Sequence, residues 1–111
     1  MTAINIHSIT GANGALWGTE TEDLDATVVR WEESKGVETH TNNEVDVIMV
    51  VVSGSGQAVV DGEAQALEPG AVIVIPKGVG RSITATQGAL TYLNVHKRRR
   101  RLMPTMARPT G

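Results

Sequence analysis

Residues 57–78 read QAVVDGEAQALEPGAVIVIPKG, and the spacing of their turn signals decides the fold class. Asp61-Gly62 sits between two short runs of strand-compatible residues. Asp-Gly is a favoured pair for the tight type I′ turn, which needs positive φ at both central positions and matches the twist of a hairpin. Glu68-Pro69-Gly70 turns the chain again, with proline fixing φ and glycine free to take a conformation that a Cβ opposes. Residues 71–75 then form a short aliphatic strand that Pro76-Lys77-Gly78 ends. Three turns in so short a stretch leave no room for a helix, and the segment predicts consecutive antiparallel strands.

Working outward, the same pattern continues in both directions. Upstream, residues 26–31 (ATVVRW) are rich in β-branched side chains, residues 32–35 are polar, and Gly36 turns the chain. Residues 45–52 form the most apolar strand, continuous enough to be covered on both faces, and Ser53-Gly54-Ser55-Gly56 ends or bends it. Downstream, residues 82–86 and 89–95 complete the set, joined at Gln87-Gly88. Short strands at this spacing, with no helical stripe, predict an all-β sandwich or barrel. Residues 1–25 say least. Ile4, Ile6 and Ile9 allow a short first strand, after which Gly11, Asn13, Gly14 and Gly18 interrupt any regular pattern. Trp17 is expected to cover an open edge or one end of the barrel, and His7 to lie on the surface.

The 111 residues suit one domain, because a core of that size needs no subdivision. The sequence is 41% hydrophobic and 20% charged, with Trp17, Trp31 and Tyr92 as its only aromatics, so the core must be aliphatic. No cysteine is present, which removes disulfides, thiolate metal sites and a cysteine nucleophile, and fits a reducing cytoplasm. The longest purely apolar run, residues 47–52, is too short to cross a bilayer, and the N-terminus lacks a signal-peptide pattern. A cytoplasmic protein with no membrane partner is the expectation.

The net charge of −2 conceals a division along the chain. Residues 1–96 carry four Lys or Arg against all twelve acids, whereas residues 97–111 carry six Lys or Arg and no acid. The run Lys97-Arg98-Arg99-Arg100-Arg101 is compatible with nucleic acid or an anionic surface. A solvated tail that folds back on the acidic body, or on a neighbouring subunit, is the plainer reading. No aromatics are interleaved for base stacking, which argues against nucleic acid. The expected organisation is an N-terminal arm or strand over residues 1–25, a barrel over residues 26–96, and a basic C-terminal tail over residues 97–111.

Over roughly residues 26–95 the chain resembles a small single-domain cupin, a double-stranded β-helix or jelly-roll barrel. The first cupin motif carries H-x-H, an acid and a closing glycine, and His40, Asn42, Asp46 and Gly54 fall at those positions. The second carries a glycine, P-x-G, a histidine and an asparagine; here Gly70, Pro76 and Gly78 fit, Arg81 stands at the histidine and Ala85 at the asparagine. Gly36 lies closer to His40 than the motif expects, and Asp46 one residue further from Gly54. Glu44 is a rival for the acidic position. Strand alternation puts residues 40, 42 and 46 on one face if no bulge intervenes, and Glu44 shares that parity.

The resemblance implies a divalent transition metal held by three histidines and the acid, and this chain keeps one of those histidines. Asparagine is a weak neutral ligand, and a guanidinium has no lone pair to offer and repels a cation. The favoured reading is therefore a barrel that binds a small polar or anionic metabolite without the usual metal. Arg81 would grip a carboxylate or phosphate, His40 and Asn42 would orient it, and Asp46 would pair with Arg81. A plain Asp46–Arg81 ion pair, or an Arg81 turned to solvent, is the structural alternative. Two further readings stay open: a metal-dependent cupin dioxygenase or isomerase using His40, Asp46 or Glu44 and a recruited His96, and a regulatory barrel acting through its tail. Metal-free catalysis with His40 as base and Arg81 stabilising an oxyanion is permitted, but no nucleophile or phosphate-loop motif points to it, so enzyme status stays open. Small cupins commonly pair edge strands, and a homodimer with the N-terminal strand at the interface is expected.

Overall fold

The computed structural model describes residues 3–98. Among them are nine strands, β1 (Gly14–Glu20), β2 (Leu24–Trp31), β3 (Gly36–Thr41), β4 (Val47–Ser53), β5 (Gly56–Val60), β6 (Glu63–Leu67), β7 (Val72–Ile75), β8 (Gly80–Ala85) and β9 (Leu90–Lys97). They form two sheets, ordered β1-β2-β9-β4-β7 and β3-β8-β5-β6, with every neighbouring pair antiparallel. From β2 onward the chain passes from one sheet to the other at every connection except the β5–β6 hairpin, as in a jelly roll. The inward positions of both sheets make one aliphatic core, with Val47, Met49 and Val51 from β4, Leu90 from β9 and Leu67 from β6 almost fully buried.

The turn chemistry explains the strand boundaries. Asp61 and Gly62 take φ of 51° and 81°, the two positive values of a type I′ turn, and close the β5–β6 hairpin in register from Val60↔Glu63 to Gly56↔Leu67. Gly70 at φ 92° donates its N–H to the Val51 carbonyl at 2.9 Å, anchoring the Glu68-Pro69-Gly70 turn to β4. Gly54 ends β4 at φ 85°, and a Cβ there would collide with the Ala89 carbonyl oxygen. That position therefore needs glycine for its backbone conformation and for space.

Three features depart from the sequence expectations. The segment around Ile4–Ile9 is a short 3-10 turn, Ile6–Ser8, rather than a strand. The Asn5 side chain accepts the His7 N–H at 2.9 Å, and such local side-chain bonds compete with extended structure. The first strand comes later, at Gly14–Glu20, because pairing with β2 and a bulge between Ala15 and Trp17 absorb its glycines. Trp17 lies on this edge strand, and His7 is exposed. Finally, β4 is buried on one face only, since Ile48 is 45% exposed.

The basic tail lies largely outside the described residues, which include only Lys97 and Arg98 of it. Arg98 donates its N–H to the Asp23 carbonyl at 2.8 Å and pairs with Glu20 at 3.3 Å, so the first step of the tail lies against the acidic body. Among the described residues no helix is long and apolar enough to cross a membrane.

Candidate functional site

Between the sheets lies a cavity of about 240 Å³, lined mostly by aliphatic and aromatic side chains and by three polar ones, His40, Arg81 and Asn94. A wider groove of about 480 Å³ crosses β3 and β8 outside the barrel, but none of these three lines it. The interior cavity is the candidate site, because convergent polar groups on an apolar wall are what small-molecule sites share.

Strand alternation positions Arg81. On β8, residues 81, 83 and 85 point inward and are buried, with Arg81 9% exposed, while Thr84 faces out. Arg81 pairs in register with His40 on β3 and with Val60 on β5, which puts it on an inner strand of its sheet, near the start of β8. A register shift between Val37 and His40 changes the parity of β3, so that both of these residues line the cavity.

The two side chains meet directly. Arg81 Nε–H donates to His40 Nε2 at 3.1 Å. Arginine can only donate, so His40 Nε2 carries no proton in this arrangement, and the 3.0 Å contact from Nδ1 to the Glu38 carbonyl is then a donated N–H. His40 is thus a neutral imidazole held between a backbone acceptor and a guanidinium donor. Its basic lone pair is engaged, which leaves it poorly placed as a general base or as a metal ligand through Nε2.

Asn42 and Asp46 do different work from His40. The chain leaves β3 at Thr41 and enters β4 at Val47, so residues 42–46 form a loop between sheets and strand alternation does not carry through. Neither Asn42 nor Asp46 lines the cavity. Asn42 Oδ1 accepts the Glu44 N–H at 2.8 Å, and its carbonyl accepts the Gly78 N–H at 2.8 Å. Asp46 is exposed, and its Oδ1 accepts the Lys77 N–H at 2.9 Å. The expected Asp46–Arg81 pair is replaced by this bond. Together the two residues fasten the first-motif loop to the Pro76-Lys77-Gly78 turn, immediately before the strand that carries Arg81.

The structure adds two polar groups that motif reading passed over, both from inward positions of β9. Tyr92 is buried, and its hydroxyl accepts the Trp31 indole N–H at 3.0 Å. Burial raises its pKa above the usual 10.0, opposed by the Trp31 bond and by the charge of Arg81, so the phenol is neutral at physiological pH. Asn94 follows two residues later on the same face. His96 continues that parity and bonds through Nδ1 with the Lys97 carbonyl at 2.8 Å, but it does not line the cavity. The signal available in sequence was the alternation of β9 itself, Leu90, Tyr92 and Asn94.

The donor set does not fit the divalent metal that the resemblance implies. Among the described residues no three His, Cys, Asp or Glu side chains converge. Arg81 occupies the neighbourhood of His40 and uses its Nε2, while Asp46 is turned to the loop.

No known family profile and no curated protein matches the sequence. Solved structures do match. A cupin protein from Bacteroides fragilis is 22% identical at a TM-score of 0.64, covering 68% of this chain and 66% of its own, so the chain spans about two thirds of that protein. KdgF from Halomonas sp. is 24% identical at a TM-score of 0.70, covering 78% of this chain and 76% of its own. The Cnp3 cupin domain of Schizosaccharomyces pombe is 15% identical at a TM-score of 0.73, covering 86% and 72%. These TM-scores establish a shared fold.

Proposed function

Taking the cupin fold as premise, we propose that this chain binds a small organic anion, a carboxylate or phosphate, inside the barrel without a metal. The observation that carries this reading is a buried guanidinium on the wall of a largely apolar cavity, braced by a neutral histidine. In a low-dielectric cavity a permanent cation favours an anionic partner, and the planar donor fork of arginine matches carboxylate and phosphate geometry. His40 orients the guanidinium from one side. Asn42 and Asp46 support the site at one remove, through the loop and turn that lead to β8.

The test is isothermal titration of the full chain with a panel of small carboxylates and phosphates, on wild type and Arg81→Leu. Two charge-assisted hydrogen bonds, each contributing about 1.5 kcal/mol, make the expected loss about 100-fold. No binding by any panel member, or equal binding by both proteins, overturns the reading. Elemental analysis of protein purified without an affinity tag or chelator addresses the metalloenzyme alternative. A stoichiometric transition metal that is lost in His40→Ala would move that alternative to first place.

We also propose that the chain forms a homodimer, through a face other than the expected N-terminal strand. Ile48, Val72 and Val74 are 45%, 62% and 61% exposed. Ile48 faces Val74, and Val50 faces Val72, across β4 and β7. This aliphatic patch ends at β7, an edge strand on the side opposite β1, and a second copy covering it would also protect that edge.

A further inference from the structure

Asn94 carries the further inference, which rests on the anion-site reading. Its Oδ1 is buried and meets no donor among the described residues. Asn94 faces Met49 across β4 and Thr27 across β2 in the ladder, so the strand amides on both sides are committed to strand pairing. Of the residues that line the cavity with it, Val47, Met49 and Ile75 have no donor to offer, and Arg81, His40 and Tyr92 make no hydrogen bond to Asn94 Oδ1. A buried carbonyl left without a donor is costly, and natural cores seldom keep one without reason. The cavity's ~240 Å³ is the space of about eight waters at ~30 Å³ each, which sets the size of a ligand at a similar number of non-hydrogen atoms.

We infer that Asn94 Oδ1 accepts a hydrogen bond from the ligand that Arg81 holds, and that the ligand is a small hydroxy acid. A hydroxyl suits the cavity better than an ammonium. Among the described residues no Asp or Glu lines the wall, so an ammonium there would be desolvated and would meet the like charge of the guanidinium. The aliphatic surround gives specificity, because a ligand lacking the hydroxyl leaves the amide oxygen unsatisfied when it displaces water. Asn94 is thus a specificity-determining residue, distinct from the charge supplied by Arg81.

The experiment is isothermal titration of the full chain with butanoate, its 2-, 3- and 4-hydroxy derivatives, and 3-aminobutanoate. In wild type at least one hydroxy derivative is expected to bind about 10- to 100-fold more tightly than butanoate, and the amino derivative more weakly than its hydroxy counterpart. Asn94→Leu erases the preference, and Asn94→Ala, which cannot crowd the cavity, does the same. Equal affinities for butanoate and all three hydroxy derivatives in wild type overturn the inference while leaving the anion site standing. So does a preference that persists in both Asn94 variants. If none of the five probes binds, the anion reading fails and this inference with it.

Discussion

Two glycines allow the close approach at the end of β4 to be separated from simple backbone strain. Gly54 and Gly62 both take left-handed φ, 85° and 81°, but a Cβ on Gly62 would meet nothing within 4 Å, whereas on Gly54 it would collide with the Ala89 carbonyl. Alanine at either position pays the left-handed penalty of about 1–2 kcal/mol. At Gly54 the collision must also be relieved by moving the chain at Ala89–Leu90. Leu90 is fully buried, and its Cδ2 already lies 2.8 Å from where a Cβ on Gly56 would stand, so movement there disturbs the core. Overpacking of this kind costs a further ~1–3 kcal/mol. Gly54→Ala is therefore expected to lose about 2–5 kcal/mol and Gly62→Ala about 1–2 kcal/mol, a large difference against a typical domain stability of ~5–15 kcal/mol. Urea denaturation followed by tryptophan fluorescence measures both, through the shift in midpoint at constant slope. Losses that agree to within about 0.5 kcal/mol, smaller than the lower end of the overpacking cost, would refute the claim that space, rather than φ alone, demands glycine at position 54.

Other expectations concern the site and its surroundings. Tyr92→Phe deprives the Trp31 indole N–H of its acceptor and should cost about 1–3 kcal/mol in thermal or urea unfolding. The raised pKa of Tyr92 means that above pH 10 the unfolded chain releases this proton before the folded one. Wild-type stability should therefore fall as pH rises from about 10 toward the folded-state value, and comparison of wild-type and Tyr92→Phe stability curves over pH 9–11.5, a window set by the ordinary phenol value of ~10, should show a shallower fall in the variant. Asp46→Ala removes the acceptor of the Lys77 N–H, and for an exposed carboxylate the expected cost is about 1 kcal/mol. Size-exclusion chromatography with light scattering should show a dimer for wild type and a folded monomer for the double variant Val72→Glu, Val74→Glu. A wild-type monomer would end the dimer proposal.

The fold was legible in the sequence because its decisive features are local. Asp61-Gly62 needs only its own backbone torsions to turn a hairpin. Gly70, Pro76 and Gly78 stop and start strands wherever the chain goes next. The inward row at residues 81, 83 and 85 follows from the two-residue period of an extended strand. Most strand ranges therefore agree with expectation to within a few residues.

The site resisted the same treatment, for reasons that are tertiary. Parity from His40 through Asn42 to Asp46 requires one unbroken strand. Instead the chain shifts register between Val37 and His40 and then crosses between sheets over residues 42–46. His40 consequently meets Arg81, while Asp46 faces the Lys77 amide. Glycines at 11, 14 and 18 hid β1, whose extended form is supplied by pairing with β2. The apolar run in β4 gave no sign of which face stays open, since that depends on which strands and segments cover the sheet. Asn94 carries no motif, and only the closing of the barrel leaves its carbonyl buried with no donor among the described residues. Turns and alternations could be read from residue order because they depend on torsions and nearest neighbours. Which polar groups share a cavity depends on bulges, sheet crossings and partners far along the chain, and emerges only when the barrel closes.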